Sequence, residues 1–267
     1  MKIKLCGADI LDIEKTFECG QCFRWNCDEN GVYTGVVGEY PARVEVIDGE
    51  IYITSDAPST LWSEYFDLET DYAAVSAEFT GDYLETCTQY GMGIRILKQD
   101  SWEALCSFII SQCNNISRIK GIVERLCELF GEKLSFGETE YYTFPTAERL
   151  SKLSAEDLAP IRSGYRAEYI ICAARAVASG ELDLEGLKSC DYREAIKALR
   201  TVRGIGEKVA NCVVLFGLNH MEAFPIDVWM KRALKENFPP EFNPESLGSY
   251  AGLAQQYIFY YARSMGK

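Results

Sequence analysis

The sequence predicts an α+β fold: an antiparallel sheet unit over residues 1–100, followed by an all-α unit over residues 101–267. Three observations predict it. First, the short β-branched and aromatic segments Val32-Tyr-Thr-Gly-Val-Val37, Ala42-Arg-Val-Glu-Val-Ile47 and Ile51-Tyr-Ile-Thr54 are punctuated by Asn30-Gly31 and Asp48-Gly49, both strong hairpin dipeptides. Second, from Ser101 the apolar period becomes helical. Trp102, Leu105, Cys106 and Ile109 form one stripe, and Ile119, Ile122, Val123, Leu126, Leu129 and Phe130 form another that ends at Gly131 as a C-cap. Third, Gly204-Ile205-Gly206 makes a tight turn between two helical stretches.

Each element follows from the same reading. One helix is expected near Asp71–Gly81 in the sheet unit. Beyond Gly131, helices fit Ala155–Arg162, Ala167–Ala178, Tyr192–Leu199, Lys208–Leu218, Asp227–Asn237 and Ser246–Ser264. There is no repeat or low-complexity segment. The boundary near residue 100 is soft.

At 267 residues and 48% hydrophobic content the chain can bury a sizeable core. No stretch reaches membrane-spanning length, and the N-terminus meets acidic residues too early to be a signal peptide. A soluble intracellular protein is expected, cytoplasmic in a prokaryote and nuclear otherwise. The eleven cysteines are odd in number and scattered, so reduced thiols are expected. Cys19, Cys22 and Cys27 lie close together, but no second Cys or His pair sits at zinc spacing and His220 is the one histidine. Apolar thiols are therefore favoured there over a metal site. No P-loop or dinucleotide fingerprint is present.

The formal net charge of −13 argues at first against nucleic acid. Its distribution is uneven: residues 1–100 hold 7 Lys+Arg against 19 Asp+Glu, whereas residues 101–267 hold 20 against 21. Residues 196–236 carry a net +3, through Lys197, Arg200, Arg203, Lys208, Lys231, Arg232 and Lys235. A locally basic surface is thus available in the second unit.

The sharpest local signal is Leu199-Arg-Thr-Val-Arg-Gly-Ile-Gly-Glu-Lys-Val-Ala-Asn-Cys212. Gly204 and Gly206 would let a phosphate approach backbone N–H groups at the start of the second helix. That is a helix-hairpin-helix, although an ordinary glycine turn between helices fits the same residues about as well. Lys208 breaks the tie. It lies in the first turn, at the positive end of the helix dipole, where the neutral amine that can attack carbon is favoured. Cys212 shares its helix face four residues on. Phe224-Pro-Ile-Asp227 then brings a carboxylate to the start of the next helix, where Asp227 reads first as an N-cap and also as a group able to do chemistry.

In these residues the chain resembles the helix-hairpin-helix glycosylases with a Gly/Pro-rich loop and a catalytic aspartate. More narrowly, it resembles the 8-oxoguanine DNA glycosylases of the eukaryotic-type branch. The resemblance spans nearly the whole chain. Gly20-Gln-Cys-Phe-Arg-Trp25 matches that family's N-terminal pocket motif, and Asn114 to Cys127 its damaged-strand and opposite-base segment. Gly164-Tyr-Arg-Ala167 matches its wedge loop, and Tyr250 to Phe259 its C-terminal pocket helix.

The resemblance implies a bifunctional glycosylase and abasic-site lyase acting on double-stranded DNA, working as a monomer with no membrane association. Lys208 would be the nucleophile, and Asp227 would stabilise charge on the sugar and assist proton transfers. Gly20 would offer its carbonyl to the N7–H that 8-oxoguanine has and guanine lacks. Phe259 and Cys212 would sandwich the base, and Gln255 would read its Watson–Crick edge. Arg118 and Arg166 would contact the orphaned cytosine while Tyr165 wedges the stack open, with Asn114 and Trp229 also on the DNA face. No cofactor would be required. The carbonyls of Arg200, Val202 and Ile205 could hold a monovalent or calcium-type cation beside a phosphate.

Two residues depart from the family pattern. Cys113 stands where an asparagine is usual, beside the orphaned base, and Trp229 where a histidine is frequent. The chain has no cysteine after Cys212. This weakens the iron–sulfur-bearing endonuclease III and adenine-glycosylase readings, and a monofunctional alkylpurine glycosylase would need no lysine at 208. A non-enzymatic DNA-backbone binding module remains the alternative from another class, although it would not require the pocket motifs at Gly20 and Gln255.

Overall fold

The structure is a computed structural model and describes residues 1–266. Strands β1 (Lys2–Gly7), β2 (Asn26–Cys27), β3 (Tyr33–Val37), β4 (Tyr40–Ile47) and β5 (Glu50–Ser55) form one antiparallel sheet in the order β1-β5-β4-β3-β2. Asp48 and Gly49 have φ of 52° and 77°, the left-handed pair that lets a two-residue turn follow the sheet's twist. Alternation along β4 and β5 buries Ala42, Val44, Ile51 and Ile53 against Leu11, Phe17, Trp25, Trp62 and Phe66. Phe17 and Trp25 stack with centroids 4.4 Å apart.

The sheet unit carries four helices where the sequence pattern predicts one: α1 (Ile13–Glu18), α2 (Ser59–Tyr65), α3 (Tyr72–Ser76) and α4 (Asp82–Gly91). The one expected near Asp71–Gly81 is α3, and it stops at Ser76. The first three run to 6, 7 and 5 residues, too short for a helical period to repeat. Caps hold two of them: Asp12 accepts from the Lys15 N–H and Asp71 from the Ala74 N–H.

The second unit contains α5 (Ser101–Ser111), α6 (Ile116–Phe130), α7 (Ala147–Ser151), α8 (Arg166–Ala178), α9 (Leu184–Leu187), α10 (Tyr192–Leu199), α11 (Glu207–Phe216), α12 (Val228–Asn237) and α13 (Ala251–Met265). It also holds a small hairpin, β6 (Lys133–Phe136) with β7 (Thr139–Tyr142), which the helical pattern did not announce. The helix expected over Ala155–Arg162 is only a 3-10 turn at Ala159–Ile161. Pro160 removes a donor there and Arg162 turns left-handed, with φ 60°. The helix expected from Ser246 begins instead at Ala251, because Gly248 (φ 72°) breaks the run.

The packing boundary is not at residue 100. Phe79, Leu84, Cys87, Ile94 and Ile96 belong to the apolar cluster of the helical unit. Helix α4 packs on α13 so closely that a Cβ on Gly91 would collide with the Tyr257 ring. The sheet unit and the last helix therefore meet, and the candidate site lies where they do. Among the described residues, no helix is long and apolar enough to cross a membrane.

Candidate active site

The hairpin has the expected form. Helix α10 ends at Leu199, Gly204 adopts φ 90°, and Gly206 is the N-cap of α11 with no side-chain cap. Glycine is required at 204, since a Cβ would run into the Tyr169 ring. At Gly206 nothing lies within 4 Å of a Cβ position, so the start of α11 is open on that side. The Gln112 amide donates to the Gly204 carbonyl at 3.1 Å, tying the end of α5 to the turn. Part of the basic stretch is already paired: Arg200 with Glu207, Arg203 with Glu168 and Arg232 with Glu236.

Lys208 is half-buried in the first turn of α11. Its Nζ lies 3.4 Å from Ser111 Oγ and 5.6 Å from the centre of the Phe108 ring. Burial raises the pKa of the Cys212 thiol, and Lys208 opposes that shift by its charge and a hydrogen bond while Asp227 reinforces it. The thiol thus feels the charge of both the amine and the carboxylate. Asp227 caps α12, its Oδ1 accepting from the Met230 N–H at 2.9 Å. The capping reading is therefore correct, and it leaves the second oxygen of a half-buried carboxylate without a side-chain partner among the described residues.

A second cluster is assembled from the chain's ends. Gly20, with φ 85°, lies where a Cβ would meet Ile116, Phe259 and Arg263 at 3.5–3.6 Å. Gln256 donates to the Cys19 carbonyl at 2.9 Å and Arg263 Nη2 to the Glu18 carbonyl at 2.5 Å, so α13 holds the segment on which Gly20 sits. Gln255 is 4% exposed, and its Oε1 is buried with no hydrogen-bond partner among the described residues. Phe23 meets Phe108 edge-on at 5.8 Å, which joins this cluster to the ring beneath Lys208.

A third group lies on the surface. Tyr165 is 53% exposed and rests edge-on against Tyr169, the ring that also abuts Gly204. Arg118 is exposed and forms no ion pair among the described residues. Arg166 differs: it is 4% exposed, donates to the carbonyls of Gln112, Cys113 and Ser163, and stacks on Tyr165 at 4.5 Å. Its guanidinium holds the Gln112–Cys113 turn, where Cys113 is exposed with φ 47°. Asn114 closes the end of α5 by donating to the Ile110 carbonyl. Trp229 is half-buried against the end of α13, where a Cβ on Gly266 would collide with the ring.

Two residues of the site escape a reading of the sequence. Ser111 lies 97 residues from Lys208, and nothing local marks it. Arg263 could have been found, since Gln255, Phe259 and Arg263 are spaced four apart on one helix.

Residues 4–105 match the family described as 8-oxoguanine DNA glycosylase, N-terminal domain, and residues 106–245 match the HhH-GPD superfamily base excision DNA repair proteins. An 8-oxoguanine glycosylase/lyase from Clostridium acetobutylicum, solved with double-stranded DNA containing cytosine opposite 8-oxoguanine, superposes with a TM-score of 0.90. It is 36% identical, over 97% of this chain and 94% of that one. The N-glycosylase/DNA lyase OGG1 of Arabidopsis thaliana is 29% identical over 93% of this chain and 76% of its own length. A DNA-3-methyladenine glycosylase of Bacillus subtilis is 35% identical over 74% and 72% respectively.

Proposed function

The chain belongs to the 8-oxoguanine DNA glycosylases of the HhH-GPD superfamily, and from that premise we propose how its residues perform the excision. It is a bifunctional DNA glycosylase and lyase of base excision repair. The observation that carries the chemistry is the Lys208 amine held beside Ser111 at the start of α11, acting on the Cys212 thiol that also feels the charge of Asp227.

A base inside a duplex is out of reach and must be flipped, at a cost of about a few kcal/mol. Tyr165 fills the gap, Arg118 pairs with the orphaned cytosine, and Arg166 shapes the turn carrying Cys113. The flipped base lies between Cys212 and Phe259, its N7–H on the Gly20 carbonyl and its Watson–Crick edge on Gln255. The buried Oε1 supports that placement, since an unpaired buried acceptor is costly until a ligand supplies its donor. As the glycosidic bond breaks, its electron pair leaves with the base, and Asp227 stabilises positive charge on the sugar. The Lys208 amine bonds to C1′ and loses its protons, the C1′–O4′ bond opens to leave a Schiff base, and loss of a C2′ proton then expels the 3′ phosphate by β-elimination.

The protein acts as a single copy on DNA, and the backbone carbonyls of Arg200, Val202 and Ile205 would hold a monovalent or calcium-type cation, which would supply positive charge against a DNA phosphate. A crystal structure with DNA lacking an ion there would remove the cation.

An alkylpurine reading draws on the Bacillus relative. That chemistry needs no amine nucleophile, and the placement of Lys208 stands against it. Single-turnover incubation with duplexes carrying 8-oxoguanine opposite each normal base, and with alkylated duplex, separates the two. Excision of 8-oxoguanine with strand cleavage is expected, whereas release of alkylated purine alone, without cleavage, would overturn the reading.

A further inference from the structure

We propose that Arg263 is a specificity-determining residue that donates a hydrogen bond to the oxygen on C8 of the lesion, the atom by which 8-oxoguanine differs from guanine in composition. The proposal rests on the base-pocket reading above and extends it to a residue that reading does not use.

Arg263 is forked across the site. Its Nη2 is committed to the Glu18 carbonyl at 2.5 Å, which fixes the guanidinium plane. Its Nη1 is buried and has no hydrogen-bond partner among the described residues. That atom lies 3.6 Å from a Cβ position on Gly20, and the guanidinium lies 5.5 Å from the centre of the Phe259 ring. A buried cationic N–H without an acceptor is costly, so the site is built for a ligand that brings an acceptor.

The order of residues along α13 says which acceptor. Gln255, Phe259 and Arg263 sit at i, i+4 and i+8, with the stacking ring in the middle. The two buried unpartnered atoms, an acceptor on Gln255 and a donor on Arg263, belong to residues one turn before and one turn after Phe259 on that helix. A purine stacked on Phe259 with its pairing edge on Gln255 points its five-membered ring toward Arg263. Gly20 reads the N7–H next to the C8 carbonyl. The glycine carbonyl and the guanidinium would then read the two adjacent atoms that distinguish the lesion, one accepting and one donating.

The test pairs a substrate change with a substitution. 8-Thioguanine keeps N7–H but replaces the oxygen with sulfur, a weak acceptor. Arg263→Met keeps the apolar stem and removes the fork. Single-turnover excision by the wild type should fall about tenfold to a hundredfold from the oxygen to the sulfur lesion, as for loss of a charged hydrogen bond. In Arg263→Met, excision of 8-oxoguanine should fall by a similar factor and the oxygen-to-sulfur difference should largely vanish. Cleavage of a preformed abasic site should be unchanged, which shows that fold and Lys208 are intact. An equal oxygen-to-sulfur difference in both proteins would make Arg263 only a clamp on Glu18 and overturn the proposal, as would an unaltered rate in Arg263→Met. A wild type that releases no 8-oxoguanine at all would instead overturn the functional reading itself.

Discussion

The two sides of the site are built differently. The lesion side is assembled by bonds across the whole chain: Gln256 to Cys19, 237 residues apart, and Arg263 to Glu18, 245 apart. Two of its polar atoms, Gln255 Oε1 and Arg263 Nη1, are buried without a hydrogen-bond partner among the described residues. The side facing the widowed base is open: Tyr165, Arg118 and Cys113 are exposed, and the buried arginine there, Arg166, is spent on backbone carbonyls. On the assignment proposed above, recognition of the lesion is pre-organised by folding, whereas recognition of the opposite base must be completed on the DNA. Pre-organisation makes a pocket discriminating because its groups are ordered before the ligand arrives. The open side should discriminate less.

Substitutions can break or sharpen that contrast. The largest effect after the nucleophile itself is expected at Asp227. Asparagine caps a helix about as well as aspartate, so Asp227→Asn should fold and bind lesion DNA while single-turnover excision falls by about a hundredfold or more. A near-normal rate would leave Asp227 as a cap alone. Next, Gly20→Ala places a methyl 3.5–3.6 Å from Ile116, Phe259 and Arg263, at a φ of 85° that alanine resists. It should cut excision at least about tenfold and leave cleavage of a preformed abasic site intact, a split that a merely unstable variant would not show.

On the open side the effects should be smaller. Arginine can share the acceptors of cytosine's pairing edge, and each such hydrogen-bonded pairing that a wrong base cannot make costs about 1–3 kcal/mol. Wild type should therefore prefer cytosine by about tenfold, a shallower preference than a fully filled gap would give, since Cys113 is a weak hydrogen-bonding thiol. Arg118→Ala should flatten it and Cys113→Asn should steepen it, read from excision rates opposite cytosine and adenine. Equal rates in wild type, unmoved by Arg118→Ala, would show that this side is wrongly assigned.

Much of this contrast is legible in the sequence. Helix α10 runs over Tyr192–Leu199 as the apolar period predicts, and Gly204, Gly206, Lys208 and Cys212 lie on one continuous stretch, so their relation is set by local geometry. Long-range partners are not legible: no pattern in residues 101–111 points to Ser111 as the neighbour of Lys208. The commitment of Arg166 to the Gln112–Cys113 turn also depends on a loop conformation that no periodicity encodes. The short helices α1 to α3 owe their existence to caps and to packing, not to a repeating stripe.

The smallest effect concerns the frame beneath both sides. Arg24 of the sheet unit pairs with Glu103 of α5 at 3.4 Å and also donates to the Tyr142 carbonyl. Burial pushes the Glu103 carboxyl up to about 6, with Arg24 pulling it partly back. A raised carboxyl pKa means the folded state holds more protons than the unfolded between the ordinary value of 4.5 and about 6. Stability from this group is therefore greatest below that window and falls as pH rises through it, by about 2 kcal/mol or less. Glu103→Gln should remove that slope from denaturant titrations across the window. A slope that persists unchanged would place the titrating group elsewhere.

The central claim is that the amine at the start of α11 attacks the sugar of a flipped 8-oxoguanosine, and borohydride trapping tests it most directly. Wild type mixed with a duplex carrying 8-oxoguanine opposite cytosine, with borohydride present, should yield a covalent protein–DNA adduct. Lys208→Gln should yield none, while still retaining lesion DNA in a binding assay. An adduct of undiminished yield from Lys208→Gln would move the nucleophile elsewhere and contradict the account.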